Sequence, residues 1–203
     1  MGLPSLRLEK KLWRKGFRYL AGIDESGLGS LAGPIVAAVV IFGKLKVKKN
    51  ELREVRDSKL LSSKKRERLS KVIKKISQVW TMAKVSNKII DKVGLKKANL
   101  LVFKKAVKKL KIKPDYLIVD GKINLESLKI PYSSIVDADA KIFSCSAASI
   151  LAKVFRDSLM VKLAKKFPAY RFAKHKGYGT KEHYYLLRKY GPCSCHRKSF
   201  RLK

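Results

Sequence analysis

The sequence predicts an α/β fold: a mixed sheet flanked by helices. Two observations predict it. Three strand-like segments follow one another in the first part of the chain, and beyond them helix-period and strand-like segments alternate. Residues 1–17 are a short, mostly basic lead-in and receive no core role. Residues 18–24 and 35–42 are apolar and β-branched with Gly and Pro between them, which makes them strands. Ser63 is placed to cap a helix whose apolar positions are Leu69, Val72, Ile73 and Ile76. Residues 79–86, VWTMAKVS, alternate as a third strand. Leu100, Phe103, Val107 and Leu110 share one face of a helix whose opposite face carries Lys104, Lys105, Lys108, Lys109 and Lys111. DYLIVDG, residues 115–121, is a buried strand ending in Asp120. YSSIVDADA, residues 132–140, is a shorter strand running into two acids. Residues 143–166 form a long helix in which Ala147, Ala148 and Ala152 permit close packing, and a last helix occupies about 180–190. No internal repeat is present, and 203 residues suit one domain with a small appendage.

Charge narrows the class of partner. The chain carries 49 Lys+Arg against 15 Asp+Glu, a net charge of +34. Such an excess favours a polyanion, because basic side chains that neutralise phosphates release condensed counterions. A host with lysine-rich proteins would account for part of the excess as solvated surface. Hydrophobic residues still make up 46% of the chain, enough for a core rather than a disordered tail. Three cysteines are an odd number and argue against a disulfide framework. No apolar run approaches the ~20 residues of a membrane span, and the N-terminus lacks a signal-peptide core. A soluble, cytoplasmic protein is expected, acting as a monomer.

Against this background one segment stands out. Tyr19–Gly43 holds no Lys or Arg, and its only charges are Asp24 and Glu25 at the end of an apolar run. Asp24, Glu25, Asp120 and Asp139 all sit apart from bases at the ends of expected strands, where an open α/β sheet gathers functional side chains. Carboxylates brought together repel, and each then favours its protonated form. A hard divalent cation such as Mg²⁺ or Mn²⁺ resolves that conflict with oxygen ligands, and two such ions can activate water at a phosphodiester. The plainer alternative is that acids following strands cap turns or helix N-termini.

Other motifs are weaker. Gly27-Leu28-Gly29 with Ala32 matches a dinucleotide fingerprint, but that fingerprint must open a helix and here Pro34 and a β-branched run follow. Glycines at this position allow close backbone approach to a sugar-phosphate, or a tight turn. Cys193-Ser194-Cys195-His196 offers three zinc ligands. Zinc takes four and no second cluster is present, so these read as residual thiols. His175, His183 and His196 are read as surface or hydrogen-bonding residues rather than catalysts.

GIDESGLGSLAGPIVAAVV, RDSKLLSSKKRERL, DYLIVDG, DADAKIFSCSAASILAKVFRDSLM, and HKGYGTKEHYYLLRKYGP followed by HRKSF together resemble ribonuclease HII of the bacterial branch, in collinear order over roughly residues 19–200. The resemblance implies a ribonuclease H-like catalytic domain over 18–166 and a small helical C-terminal part over 167–203. It implies hydrolysis of RNA in RNA–DNA hybrids, and incision of DNA on the 5′ side of embedded ribonucleotides with 3′-hydroxyl and 5′-phosphate ends. Asp24, Glu25, Asp120 and Asp139 match the family's metal-binding acids, for Mn²⁺ or Mg²⁺. Gly27, Leu28 and Gly29 match its Gly-Arg-Gly turn, Lys59 its lysine-bearing substrate motif, and Tyr178 the tyrosine on the sugar beside the scissile phosphate. Asp157 is read as support on a helix face. Departures from the family pattern are Leu28 for arginine, Leu60 in place of a second lysine, and Asp137 for the lysine before the fourth acid. The competing expectation is a non-catalytic basic nucleic-acid-binding protein. The four base-poor acids discriminate against it, since a pure binder gains nothing from negative charge on its phosphate-facing side.

Overall fold

In the computed structural model the described residues are 3–43, 55 and 61–202. Helix α1 spans Arg7–Arg14, strands β1 and β2 span Leu20–Ser26 and Ile35–Ile41, helix α2 Ser63–Ile76 and strand β3 Val79–Val85. Helices α3 (Asn87–Val93) and α4 (Leu95–Lys108) follow, then β4 (Tyr116–Asp120) and β5 (Tyr132–Ile135). Helices α5 (Ala138–Lys141), α6 (Phe143–Lys166), α7 (Phe172–His175) and α8 (Lys181–Tyr190) complete the chain. The sheet order is β3-β2-β1-β4-β5. β1 pairs antiparallel with β2, and β2 with β3, while β4 lies parallel to both β1 and β5. This is the expected mixed sheet flanked by helices.

Helices cover both faces of the sheet. Ile23, Ala37, Val39 and Val119 point to the layer holding Val102 and Phe103 of α4. Val36, Ala38 and Val40 point the other way, to Ala147, Leu151 of α6 and Leu69, Ile73 of α2. A strand buried on both faces needs a continuous apolar run, and IVAAVVI of β2 is one. α6 approaches β1 so closely that a Cβ on Gly22 would lie 2.3 Å from the Ser144 carbonyl carbon. Only glycine permits that contact, and it sets the depth at which α6 rests over the sheet.

Four expectations are corrected. The N-terminal lead-in contains α1, which buries Leu12 and Trp13 against Leu20, Ile118 and Cys145. Its Glu9 is also buried and accepts the Ser144 N–H at 3.0 Å, at the start of α6. Within α1 basic residues outnumber apolar ones, which hid a short amphipathic helix. The strand expected over 132–140 ends at Ile135: Asp137 takes a left-handed backbone (φ 56°) and the chain turns into α5. α2 is capped by Ser62, whose hydroxyl accepts the Lys65 N–H, rather than by Ser63. The buried seam of α4 includes Ala98, Val102 and Ala106 beside Phe103 and Val107, and Leu110 lies beyond the helix end. A separate helix, α3, precedes it, capped by Ser86.

Candidate active site

Strand geometry brings the acids together. β1 and β4 are parallel with Ile23 beside Val119, so Asp24 and Asp120 emerge next to each other at the same end of the sheet. Asp24 shares a face with Gly22, two residues back, which is the face covered by α6. Asp120 ends β4, and its Oδ1 accepts the Ala138 N–H at 2.5 Å. That bond fixes the start of α5, the helix carrying Asp139. Carboxylate oxygens of Asp24, Asp120 and Asp139 all lie within 4.8 Å of one another. Asp139 therefore reaches the cluster from a helix rather than from a strand end. Glu25 lines the same cleft, of about 500 Å³, beside the three aspartates. The capping alternative holds in part for Asp120, whose carboxylate serves α5 while facing the cluster.

Burial and like charge act together on Asp24. It is 4% exposed, and its Oδ1 accepts the Glu25 N–H at 2.7 Å. Burial raises its pKa well above the ordinary carboxylate value, and the neighbouring charges of Glu25 and Asp120 raise it further, against a lowering hydrogen bond from Ser149 of α6.

Gly27, Leu28 and Gly29 form one wall of the cleft. Gly27 has φ +92°, and a Cβ there would collide with the Arg156 side chain. Two fully buried arginines hold this wall, and sequence reasoning did not single out either. Arg197 donates to the carbonyls of Gly27 and Leu28, each at 2.6 Å, and to Gly33 O at 3.1 Å. Arg156 donates to Pro34 O, Lys176 O, Ala32 O and the Ser30 hydroxyl. Burial, with Arg156 nearby, lowers the Arg197 pKa to about 9, which leaves it charged at neutral pH. The available signal was an arginine inside each of the SAASILAKVFRD and HRKSF segments, indistinguishable by type from the many other bases of the chain.

Tyr178 is half-buried in the lining of the same cleft, with Lys153 Nζ 5.0 Å and the Arg156 guanidinium 4.9 Å from its ring centre. Gly177 beside it has φ +78°, and a Cβ would lie 2.7 Å from Ala32 O. Thr180 caps α8 by accepting the His183 N–H. The base-free sequence around Asp24 does not produce a base-free cleft, since Arg66 of α2 and Lys153 of α6 reach its lining. Lys153 meets Asp157 at 2.9 Å and Arg66 meets it at 3.9 Å, so Asp157 ties α2 to α6. Lys59 lies outside the described residues, as do Asp57 and Ser58. His175, His183 and His196 are buried rather than on the surface, and each is hydrogen-bonded.

The family model described as Ribonuclease HII matches residues 21–203. A curated relative from Caldicellulosiruptor bescii, named Ribonuclease HII, is 45% identical over 95% of this chain and 91% of its own length. The solved structure of ribonuclease H2 from Pyrococcus horikoshii OT3 superposes with a TM-score of 0.76 at 27% identity, covering 91% of this chain and 94% of that one. Bst-RNase HIII, solved in complex with Mn²⁺, shares the fold with a TM-score of 0.69 at 20% identity, over 91% of this chain and 68% of that one.

Proposed function

The chain belongs to the ribonuclease HII family and is an endoribonuclease of that type; on that premise we propose a divalent-metal-dependent enzyme that hydrolyses the RNA strand of RNA–DNA hybrids. The proposal extends to incision of DNA on the 5′ side of an embedded ribonucleotide, leaving 3′-hydroxyl and 5′-phosphate ends. The observation that carries it is the convergence of Asp24, Asp120 and Asp139 within 4.8 Å in a protein of net charge +34. A protein that only bound phosphates would be weakened by such a cluster. The reading includes a monomeric, cytoplasmic enzyme; among the described residues no helix is long and apolar enough to cross a membrane.

The donor set fits Mg²⁺ or Mn²⁺: carboxylate oxygens in a cleft, with the Asp24 pKa raised by burial first and then by the charges of Glu25 and Asp120, a repulsion that a dication would relieve. Asp24, Glu25, Asp120 and Asp139 are the residues that would hold it. Bound there, such ions supply an activated water and stabilise the charge developing on the leaving 3′-oxygen. The chain's own groups do the positioning. The Glu25 N–H and Ser149 fix the Asp24 carboxylate, and the Ala138 N–H fixes that of Asp120. The Gly27-Leu28-Gly29 turn has two carbonyls engaged by Arg197, so what it presents to a ribose is chiefly amide N–H. Leu28 in place of the family's arginine keeps those main-chain groups. Lys59 is assigned to substrate contact on the family motif alone.

One incubation tests the proposal. A duplex with a single internal ribonucleotide and a continuous RNA–DNA hybrid are mixed with protein in Mg²⁺, in Mn²⁺ or in chelator. Cleavage with either metal and none in chelator is expected. Binding without cutting in all three would establish the non-catalytic alternative.

Tyr178 is assigned to stacking on the sugar beside the scissile phosphate, where an aromatic face adapts to a ribose ring with little directional demand. Its ring is partly open to the cleft and rests on cations rather than in the core. Tyr178→Ala is expected to lower turnover at a single embedded ribonucleotide more than on a continuous hybrid, with a melting temperature within a few degrees of wild type. A large thermal loss with equal effects on both substrates would mark a core residue instead, since removing a buried aromatic costs roughly 3–5 kcal/mol.

A further inference from the structure

A second cluster of metal-binding residues lies apart from the carboxylates. Cys193, Cys195 and His196 place one donor atom each within 4.8 Å of one another. The two sulfurs are 3.2 Å apart, and Cys193 Sγ is 3.2 Å from His196 Nδ1. The hydrogen-bond network assigns the imidazole. Cys193 N–H donates to His196 Nδ1 at 3.0 Å, so that nitrogen carries a lone pair and no proton. His196 Nε2 faces His183 Nε2 at 3.0 Å, and His183 Nδ1 donates to the Tyr178 carbonyl at 2.9 Å. One proton between the two Nε2 atoms, carried by His196, satisfies the whole chain. A histidine whose second nitrogen is held in this way has the arrangement found at metal-ligating histidines.

We propose that Cys193 Sγ, Cys195 Sγ and His196 Nδ1 bind one thiophilic divalent cation of the zinc class. Zn–S bonds of about 2.3 Å and Zn–N bonds of about 2.0 Å at tetrahedral angles separate two sulfurs by roughly 3.8 Å, and a sulfur from a nitrogen by roughly 3.5 Å. Side-chain shifts of a few tenths of an ångström open the two 3.2 Å separations to those values, and the third side is already within 4.8 Å. The backbone beneath is already fixed. The Asn87 amide donates to both Ser194 O and His196 O at 3.0 Å, and Cys195 O accepts the Gly33 N–H. Cys195 also borders a surface cleft beside Lys162 and Lys166, and Cys193 is half-buried, which gives an ion a route in. Binding leaves both sulfurs as thiolates, each proton still on sulfur going to solvent, and displaces the Cys193 N–H from the imidazole lone pair. Three protein ligands leave the fourth position to water. The next residue is Arg197, so an ion here would stiffen the segment that holds the Gly27-Leu28 carbonyls.

The test uses full-length, reduced, metal-stripped protein in excess Mg²⁺, which occupies oxygen ligands. Titration with Co²⁺ is expected to give thiolate-to-cobalt charge-transfer absorption and intense tetrahedral visible bands saturating at one equivalent. Zn²⁺ should abolish them. Cys193→Ser and Cys195→Ser should lose the charge-transfer band, while Cys145→Ser keeps it. Zn²⁺ should raise the melting temperature of wild type, because an ion that binds only the folded state stabilises it. In unmutated protein, Zn²⁺ should also shield Cys193 and Cys195 from iodoacetamide, read by mass spectrometry, which keeps the test decisive if a variant misfolds. Absence of a charge-transfer band, its retention in both serine variants, or unshielded thiols would overturn the proposal. A 193–195 disulfide in air, with no Co²⁺ uptake by the reduced protein, would do the same and make the pair a redox couple.

Discussion

Asp24→Asn is expected to abolish cleavage while making the folded protein more stable. The amide has the shape of the carboxylate but holds a hard dication poorly, and losing one electrostatic stabiliser at a reacting phosphate costs at least about 10²–10³-fold in rate. The stability effect runs the other way. Burial first, then Glu25 and Asp120, raise the folded-state pKa of Asp24 above its unfolded value near 3.8. The favourable contribution of this group is therefore complete below the unfolded pKa, where it is protonated in both states, and is lost as pH rises through the folded pKa. At neutral pH, well above the unfolded pKa, holding Asp24 in this cluster without metal therefore costs the fold stability. Thermal melts in chelator should show Asp24→Asn melting on the order of a few degrees higher at neutral pH, with the gap closing toward pH 4. Wild-type turnover by a folded Asp24→Asn protein would remove Asp24 from the metal site. A lower melting temperature would mean that the hydrogen bonds from Ser149 and the Glu25 N–H outweigh the repulsion.

Arg197→Ala is expected to cause a large loss of both stability and turnover, through the turn rather than through charge. The guanidinium satisfies the carbonyls of Gly27, Leu28 and Gly33. Its removal leaves two of those acceptors to whatever water can enter, with Ser30 still donating to Gly27 O. Buried groups left unsatisfied cost about 1–3 kcal/mol each, so the melting temperature should fall on the order of 10 °C for a chain of this size. At temperatures where circular dichroism shows the variant folded, cleavage should still be reduced about 10–100-fold, because a loosened turn misplaces the ribose by a fraction of an ångström to an ångström. Arg197→Lys should recover little of either property, since an ammonium cannot reproduce a planar fork shared among three carbonyls. An unchanged melting temperature would show that water replaces the fork without loss. A thermal loss with full turnover in the folded state would confine Arg197 to stability.

Much of this protein was legible along the chain because its signals are local. β2 is buried on both faces and reads as an unbroken apolar run, α6 was delimited to the residue, and α8, capped by Thr180, lies where a last helix was expected. Asp24 and Glu25 are conspicuous because their stretch is apolar and base-free, Asp120 and Asp139 because they stand apart from bases at the ends of expected strands, and the family motifs match all four and add Tyr178. Other features lay beyond local reading. α1 was missed because its apolar positions, Leu12 and Trp13, are few among bases and acquire meaning only against Ile118 and Cys145, more than a hundred residues away. Asp139 was assigned to a strand end because nothing in its neighbours announces the left-handed Asp137 that starts a new helix. Arg156 and Arg197 were invisible by type: in a chain with 49 basic residues, a buried guanidinium has the same letter as a solvated one. What distinguishes them is a set of backbone carbonyls gathered from distant turns. Partners separated by up to 170 residues are a property of packing alone. The sequence determined which strands and helices form and which acids are available for chemistry. The tertiary structure decided how those acids meet and what holds the turn beside them, because like charges and unpaired carbonyls acquire their energies only when packing removes water and sets distances.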